Sequence, residues 1–329
     1  MRKQVAVKIL IPIFALAFVL LLVFLYVRGI NRPSNFQKAG STTEILINKG
    51  ESLDDISANL SKDGLINSRV LFKLYVIVNR KVIQAGRYYV PANLNMISLV
   101  ELLGKGSFDL KLTFLEGWTK DQIASYLDKK FSSDFGAEFL EDPSTKEGYM
   151  FPDTYFFAEK TVTPNVISKA LRDNFEEKVS SLQNEISPSG MSLDNVIILA
   201  SIVEREAKSY EDRKIVAGIL LKRMGNGWPL QADATVQYIR DKNNCPTPSA
   251  NCTYWGPLSS SDLSIASPYN TYINKGLPPT PICNPGLESI KAVLNYEETD
   301  YWYYLSDKDG NMHFAKTVGE HNENIKKYL

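Results

Sequence analysis

Residues 196–207 read Val-Ile-Ile-Leu-Ala-Ser-Ile-Val-Glu-Arg-Glu-Ala. From Val196 to Val203 only Ser201 is polar. Positions three, four and seven apart share a helix face, so Glu204 lies in line with Ser201, Ala200 and Ile197. A helix that is apolar on every face is a buried helix. The stretch therefore predicts a core helix with the rest of a globular α+β body packed around it, and Glu204 where it emerges. A carboxyl group carried by a core stripe loses hydration, which disfavours its charged form and raises its pKa. General acid catalysis near neutral pH needs that property. The competing reading is structural: Glu204 paired with Lys208 four residues on, worth only about 0.3 kcal/mol. Glu206 points to a different side of the helix from Glu204, so the two cannot flank one bond.

The 329-residue chain carries 37 Lys+Arg against 37 Asp+Glu and is 44% hydrophobic. Its balanced charge lacks the basic excess of a nucleic-acid binder, and its length allows two modest domains or one larger one. Ile9 to Val27 is an unbroken apolar run of 19 residues. At about 1.5 Å per residue it can cross a hydrocarbon core of roughly 30 Å. The run ends in Leu25-Tyr26-Val27-Arg28, without a small-x-small cleavage site, and so reads as an uncleaved signal anchor. Basic residues flank it on both sides, which makes the positive-inside signal weak. The short side suggests a cytoplasmic tail at 1–8, a bilayer anchor at 9–27, a linker at 28–43 and an exported body. Cys245 and Cys252 bracket a Pro-rich loop that could close as a disulfide in an oxidising compartment, leaving Cys283 over. His313 and His321 lack ligand spacing to the cysteines, so neither a metal site nor a cofactor is expected.

After the linker, Glu44 to Asn48 alternates like a strand, and Gly50 turns the chain. Ser52 caps a helix carrying Leu53, Ile56 and Leu60. A second helix spans about 68–79, Gly86 to Val90 reads as a strand, and Ser98 to Leu103 as a short helix. This order, opened by Gly-Glu-Ser-Leu-Asp-Asp-Ile, resembles the LysM modules that bind N-acetylglucosamine-containing glycans; a plain α+β spacer over 44–106 is the alternative. The pattern Lys49 to Ile56 recurs as Glu116 to Ile123, 67 residues on, as an internal repeat or as shared capping grammar. Glu147 to Phe156 is aromatic-rich with two carboxylates, Glu147 and Asp153, which suits sugar rings or a core turn. Helices are expected over 161–185 and from Lys214 to Arg223, with Ser192 capping the buried one. Gln231, Asp233 and Thr235, spaced by two, would all point one way from an extended backbone. Tyr301 to Leu305 and His313 to Ala315 flank Asp307 to Asn311, a hairpin signal, and a short helix closes the chain.

There is no Gly-x-Ser-x-Gly and no phosphate-cradling glycine loop, so carboxylate chemistry remains. A conventional glycosidase needs two flanking carboxyl groups, and Asp233, Asp153 or Glu147 could supply the second. Four segments then carry a specific resemblance: Ile-Leu-Ala-Ser-Ile-Val-Glu-Arg-Glu-Ala, Pro-Leu-Gln-Ala-Asp-Ala-Thr-Val-Gln-Tyr, Ser-Pro-Tyr-Asn-Thr-Tyr through Asn-Pro-Gly, and the terminal His-Phe-Ala…His-Asn. Together, and in this order, they resemble the MltG/YceG family of membrane-anchored endolytic murein transglycosylases over nearly the whole chain. The Cys245–Cys252 segment departs from the shorter loop usual there.

The resemblance implies a catalytic domain at 107–329 on the outer side of a bacterial plasma (inner) membrane. It implies peptidoglycan glycan strands as substrate and peptidoglycan synthases as partners. It further implies cleavage of the N-acetylmuramyl-β-1,4-N-acetylglucosamine bond without water, leaving 1,6-anhydro ends and terminating strand elongation. One carboxyl group protonates the leaving oxygen and then draws the proton from the muramyl C6 hydroxyl. The family's catalytic Glu matches the first Glu of Ser-Ile-Val-Glu-Arg-Glu, hence Glu204. Gln231, Asp233, Thr235, Tyr269, Asn270 and Thr271 are expected to line the sugar groove, with Glu147 and Asp153 opposite. A non-catalytic, anchored glycan-binding protein and a two-carboxylate murein hydrolase stay open as alternatives.

Overall fold

The computed structural model describes residues 24, 26–31, 42–91, 94–106, 110–132, 134–159, 162–245 and 252–329. The tail expected at 1–8, most of the apolar run 9–27 and most of the linker 28–43 lie outside the described residues. Among those described, no helix is long and apolar enough to cross a membrane. Residues 26–31, from the end of the apolar run into the segment expected as linker, are helical, and Ile30 is buried. The chain is mixed α+β, many helices with three two-stranded sheets among the described residues. It divides into two compact units: residues up to 112 with 156–161, and residues 113–155 with 162–329.

In the first unit, β1 (Thr42–Ile47) pairs antiparallel with β2 (Gly86–Pro91), Ile45 opposite Tyr88. Between them lie α1 (Leu53–Lys62) and α2 (Arg69–Val78), and after them α3 (Met96–Gly104). Each helix starts where a polar side chain accepts an orphan amide: Ser52 from Asp55, Ser68 from Leu71, Asn95 from Ser98. Their apolar faces close on one core containing Ile45, Ile56, Leu60, Phe72, Tyr88 and Leu103. A second ribbon pairs β3 (Leu110–Thr113) with β4 (Thr154–Phe157).

The second unit begins with the matching turn and helix. Gly117 (φ 76°) repeats the left-handed conformation of Gly50 (φ 83°), which glycine adopts without steric cost. Thr119 and Gln122 then form a reciprocal capping box on α4 (Lys120–Lys130). The segment expected as one helix over 161–185 is two, α6 (Pro164–Ser180) and α7 (Gln183–Ser189), following α5 (Phe135–Glu141). At the centre runs α8 (Leu193–Glu206), capped by Ser192 and buried at every position from Val196 to Val203. Against it pack α9 (Tyr210–Gly225), α10 (Asp233–Asn244) and α11 (Leu287–Leu294). Gly218 of α9 lets residue 297 approach closely: a Cβ there would lie 2.0 Å from the Glu297 carbonyl oxygen. A hairpin of β5 (Tyr303–Ser306) and β6 (Met312–Ala315) and the helix α12 (Val318–Tyr328) complete the unit.

Candidate active site

Glu204 sits at the end of the buried stripe and lines neither of the two cavities described below. Its Oε1 accepts from Arg213 Nη2 at 2.8 Å, and its Oε2 accepts from Gly286 N at 3.0 Å and Ser289 Oγ at 2.8 Å. Both side chains of the ion pair are shielded, 6% exposed for Glu204 and 7% for Arg213. Gly286 is the N-cap of α11 and supplies no side-chain cap, so Glu204 satisfies that helix end and meets the positive end of its dipole. Arg213 also donates from Nε to Ala207 O. The carboxylate thus ties α8, α9 and α11 together. Neither the free acid nor the Lys208 pair expected from sequence describes it; the partner is Arg213, brought in by the turn into α9.

Two residues on, about 200° further round the helix, Glu206 faces a cavity of about 490 Å³. Burial, then the charge of Asp233, pushes its carboxyl up to about 7, against the opposing pull of the Tyr304 hydroxyl, the Ala234 amide and Arg223. The Ala234 amide lies in the first turn of α10, whose N-cap, Ala232, has no side chain to cap it. Around Glu206 stand Gln231, Asp233, Tyr272, Arg223 and His321. Asp233 accepts a hydrogen bond from the Tyr272 hydroxyl. His321 stacks on Tyr303 at 5.2 Å between ring centroids, and burial together with Arg223 lowers its pKa, which favours a neutral imidazole. The buried Arg223 donates to Trp302 O and Leu230 O, fixing the start of β5 and the approach to Gln231.

The Gln231–Thr235 segment is not extended, as its period-two spacing suggests, because α10 starts at Asp233. Gln231 takes a left-handed φ of 52°, and Thr235 turns inward. Thr235 and Thr271 are fully buried and form a latch. Ala232 N donates to Thr271 Oγ1 at 3.0 Å, Gln231 N to Thr271 O at 3.0 Å, and the two hydroxyls lie 2.9 Å apart. Asn270, also buried, donates to Leu263 O and Ile265 O and accepts from Tyr272 N. Thr235, Asn270 and Thr271 therefore place Gln231, Asp233 and Tyr272 in the cavity wall without lining it themselves.

The other expected groove residues lie elsewhere. Tyr269 and Glu147 line a second cavity, of about 420 Å³. Glu147 is 8% exposed and accepts from Lys120 N and Asn284 Nδ2. Burial, then the charge of Asp121, pushes its carboxyl up to about 8. Asn284 uses its whole side-chain amide here: Oδ1 accepts from Gly148 N and Met150 N, and Nδ2 donates to Trp118 O as well as Glu147. Asp153 is exposed at the start of β4 and accepts from Asn174, lining neither cavity. Cys245 and Cys252 are disulfide-bonded with Cα atoms 6.0 Å apart, and Cys283 is a buried free thiol. Among the described residues no group of His, Cys, Asp and Glu could hold a metal ion.

Sequence reasoning missed Glu206, Tyr272, Arg223, Tyr304 and His321 as members of one site. The available signal was helical phase: once Glu204 is assigned to the buried stripe, Glu206 is the carboxyl that leaves it.

A family profile described as YceG-like matches residues 45–327. Endolytic murein transglycosylase of Bacillus subtilis (strain 168) is 29% identical over 335 residues, covering 93% of this chain and 90% of that protein. Endolytic murein transglycosylase of Streptococcus pneumoniae (serotype 2, strain D39) is 27% identical, covering 86% of this chain but 58% of the streptococcal protein. The crystal structure of a YceG-like protein from Listeria monocytogenes superposes with a TM-score of 0.55 at 30% identity, covering 86% of this chain and 99% of that one. With the profile running through α8, both cavities and the closing hairpin, the chain belongs to the YceG-like family.

Proposed function

We propose that the protein is an endolytic murein transglycosylase whose acid, and then base, is Glu206 rather than Glu204. The observation that carries this reading is the position of Glu206: a carboxyl held near pKa 7 in the wall of a polar cavity. An acid–base group works best with a pKa near the operating pH, and Glu206 can both give and take a proton there. Glu204 is instead held by the Arg213 guanidinium, the Gly286 amide and the Ser289 hydroxyl. Glu147 is also raised, but its oxygens are occupied by Lys120 N and Asn284.

In this mechanism the glycan strand lies across the larger cavity. The Glu206 carboxyl proton passes to the glycosidic oxygen, the bond from muramyl C1 breaks, and the N-acetylglucosamine end leaves. The Glu206 carboxylate then takes the proton of the muramyl C6 hydroxyl, and O6 closes on C1 as the 1,6-anhydro ring. No water enters and no second carboxylate is consumed, so Asp233 acts through its charge, keeping Glu206 protonated for the first step. Gln231, Tyr272 and His321 offer hydrogen bonds to sugar hydroxyl and acetamido groups. The apolar run 9–27 is proposed to anchor the chain in the plasma membrane, with the body outside, and peptidoglycan synthases as neighbours.

Asp233 in the same cavity is what a two-carboxylate hydrolase would also use, so product mass decides between them: anhydro ends are lighter than reducing ends by one water. The test is cleavage of purified glycan strands by Glu206→Gln and Glu204→Gln proteins. Glu206→Gln is expected to lose about 100-fold or more of the rate, the usual weight of a general acid. Near-normal cleavage by a folded Glu206→Gln protein would overturn the assignment.

A further inference from the structure

The second cavity is not needed for the chemistry at Glu206, yet it is built from the same segments. Ile198 of α8, Tyr238 of α10 and Tyr269 line it, while Glu206, Asp233 and Tyr272 of those segments line the first. Eight residues of helix separate Ile198 from Glu206, about 12 Å at 1.5 Å per residue. Its wall carries three ammonium groups, Lys120, Lys146 and Lys242, against one exposed carboxylate, Asp194. Among the described residues none of the three lysines has a carboxylate oxygen within 4.0 Å. The remaining acid, Glu147, has its carboxyl pushed up to about 8, so at neutral pH it is mostly protonated and subtracts little from the positive field. Tyr149 and Tyr238 give the wall apolar faces between the charges, with Lys146 and Lys242 above them at 5.2 and 5.8 Å from the ring centroids.

We propose that this second cavity binds the carboxylate-bearing peptide stem of the glycan strand, with Lys120, Lys146 and Lys242 as its cation set. The inference rests on the murein reading of the first cavity. The chemistry agrees with the spacing. A stem hangs from the muramyl residue and carries free carboxylates, and an extended chain advances about 3.3–3.6 Å per residue. Three or four residues therefore span the roughly 12 Å of α8 between Glu206, in the wall of the first cavity, and Ile198, in the wall of the second. Neutral sugar hydroxyls gain little from three ammonium groups that have no carboxylate in contact, whereas a stem carboxylate gains a charge-assisted bond.

The test compares stem-bearing strands with strands stripped of their peptides by an amidase, which keep one lactyl carboxylate at each muramyl ring but lose those of the stem, using the full-length protein. Lys146→Glu/Lys242→Glu is expected to raise KM on stem-bearing strands about tenfold, the equivalent of one charge-assisted bond, and to leave kcat and all constants on stripped strands unchanged. Lys242→Ala should show a smaller effect of the same kind and guards against misfolding of the double variant. In parallel, an N-acetylated stem pentapeptide is titrated into Glu206→Gln protein by NMR. Saturable shifts that the double lysine variant abolishes support the site. An equal rise in KM on both substrates, or no change on either together with no peptide binding, overturns it. If the wild type cleaves neither substrate, the transglycosylase reading fails, and the peptide titration alone then supports or overturns the stem site.

Discussion

At the residue scale, the difference between Glu204 and Glu206 is one of phase and company. Glu204 receives Arg213, an amide and a hydroxyl, and its work is to join helices. Breaking a buried ion pair by removing one partner costs about 3 kcal/mol or more. Glu204→Gln is therefore expected to lower Tm by about 6–12 °C, at 2–4 °C per kcal/mol, without removing the chemical step. Thermal unfolding checks the first part and product mass the second. Glu206 titrates in the working range, so kcat/KM should fall on the alkaline side of about pH 7. Asp233 raises that value through its charge, so Asp233→Asn should move the alkaline limb to lower pH; a limb that stays put would show that Asp233 does not act on the acid. The sequence made the polar exit from the core legible, but not which of two carboxylates was engaged, because Arg213 enters from the next helix.

At the element scale, local grammar was readable and tertiary phase was not. Ser52, Thr119 and Ser192 mark helix starts that the structure shows with side-chain caps in place. The start of α10 escaped the reading because no polar side chain caps it: Ala232 stands at the N-cap. The period-two pattern of Gln231, Asp233 and Thr235 was then available to mislead. Close approach between elements is equally silent in sequence. Gly218 sits in mid-helix, where glycine costs about 1 kcal/mol relative to alanine, so substitution by alanine ought to stabilise. Here the added methyl would meet the Glu297 carbonyl at 2.0 Å. Gly218→Ala is expected to destabilise by about 1–3 kcal/mol, measured by denaturant unfolding, and a gain in stability would refute the contact.

At the scale of the whole molecule, the second unit folds around groups that prefer to stay protonated. Burial raises Glu147 to about 8 and Glu206 to about 7, and raises Glu116 and Asp121 in the same direction. Between their unfolded values, 4.5 for the glutamates and 3.8 for Asp121, and these raised folded values, the native state binds more protons than the unfolded chain, so stability falls as pH rises. Below the unfolded values this contribution is fully present. Tm should decline from pH 5 to pH 8.5, and Glu147→Gln should flatten part of that decline; a Tm independent of pH over this window would contradict the burial of these carboxyls. Composition supplied the balance of charges and the buried helix supplied the centre. Division of the site into two cavities needed Tyr269 and Tyr272, three residues apart, to line different ones.

Asn284 carries a further consequence for the lifetime of the molecule. Its side-chain amide fills four hydrogen bonds at once, two accepted and two donated. Hydrolysis to a carboxylate would set an acceptor against the Trp118 carbonyl and Glu147, where two donors now stand. The usual route of such ageing is attack on the side chain by the backbone nitrogen of the following residue. That residue is Pro285, whose nitrogen has no hydrogen to lose. The amide this loop can least spare is thus followed by the one residue that closes the spontaneous path to its loss.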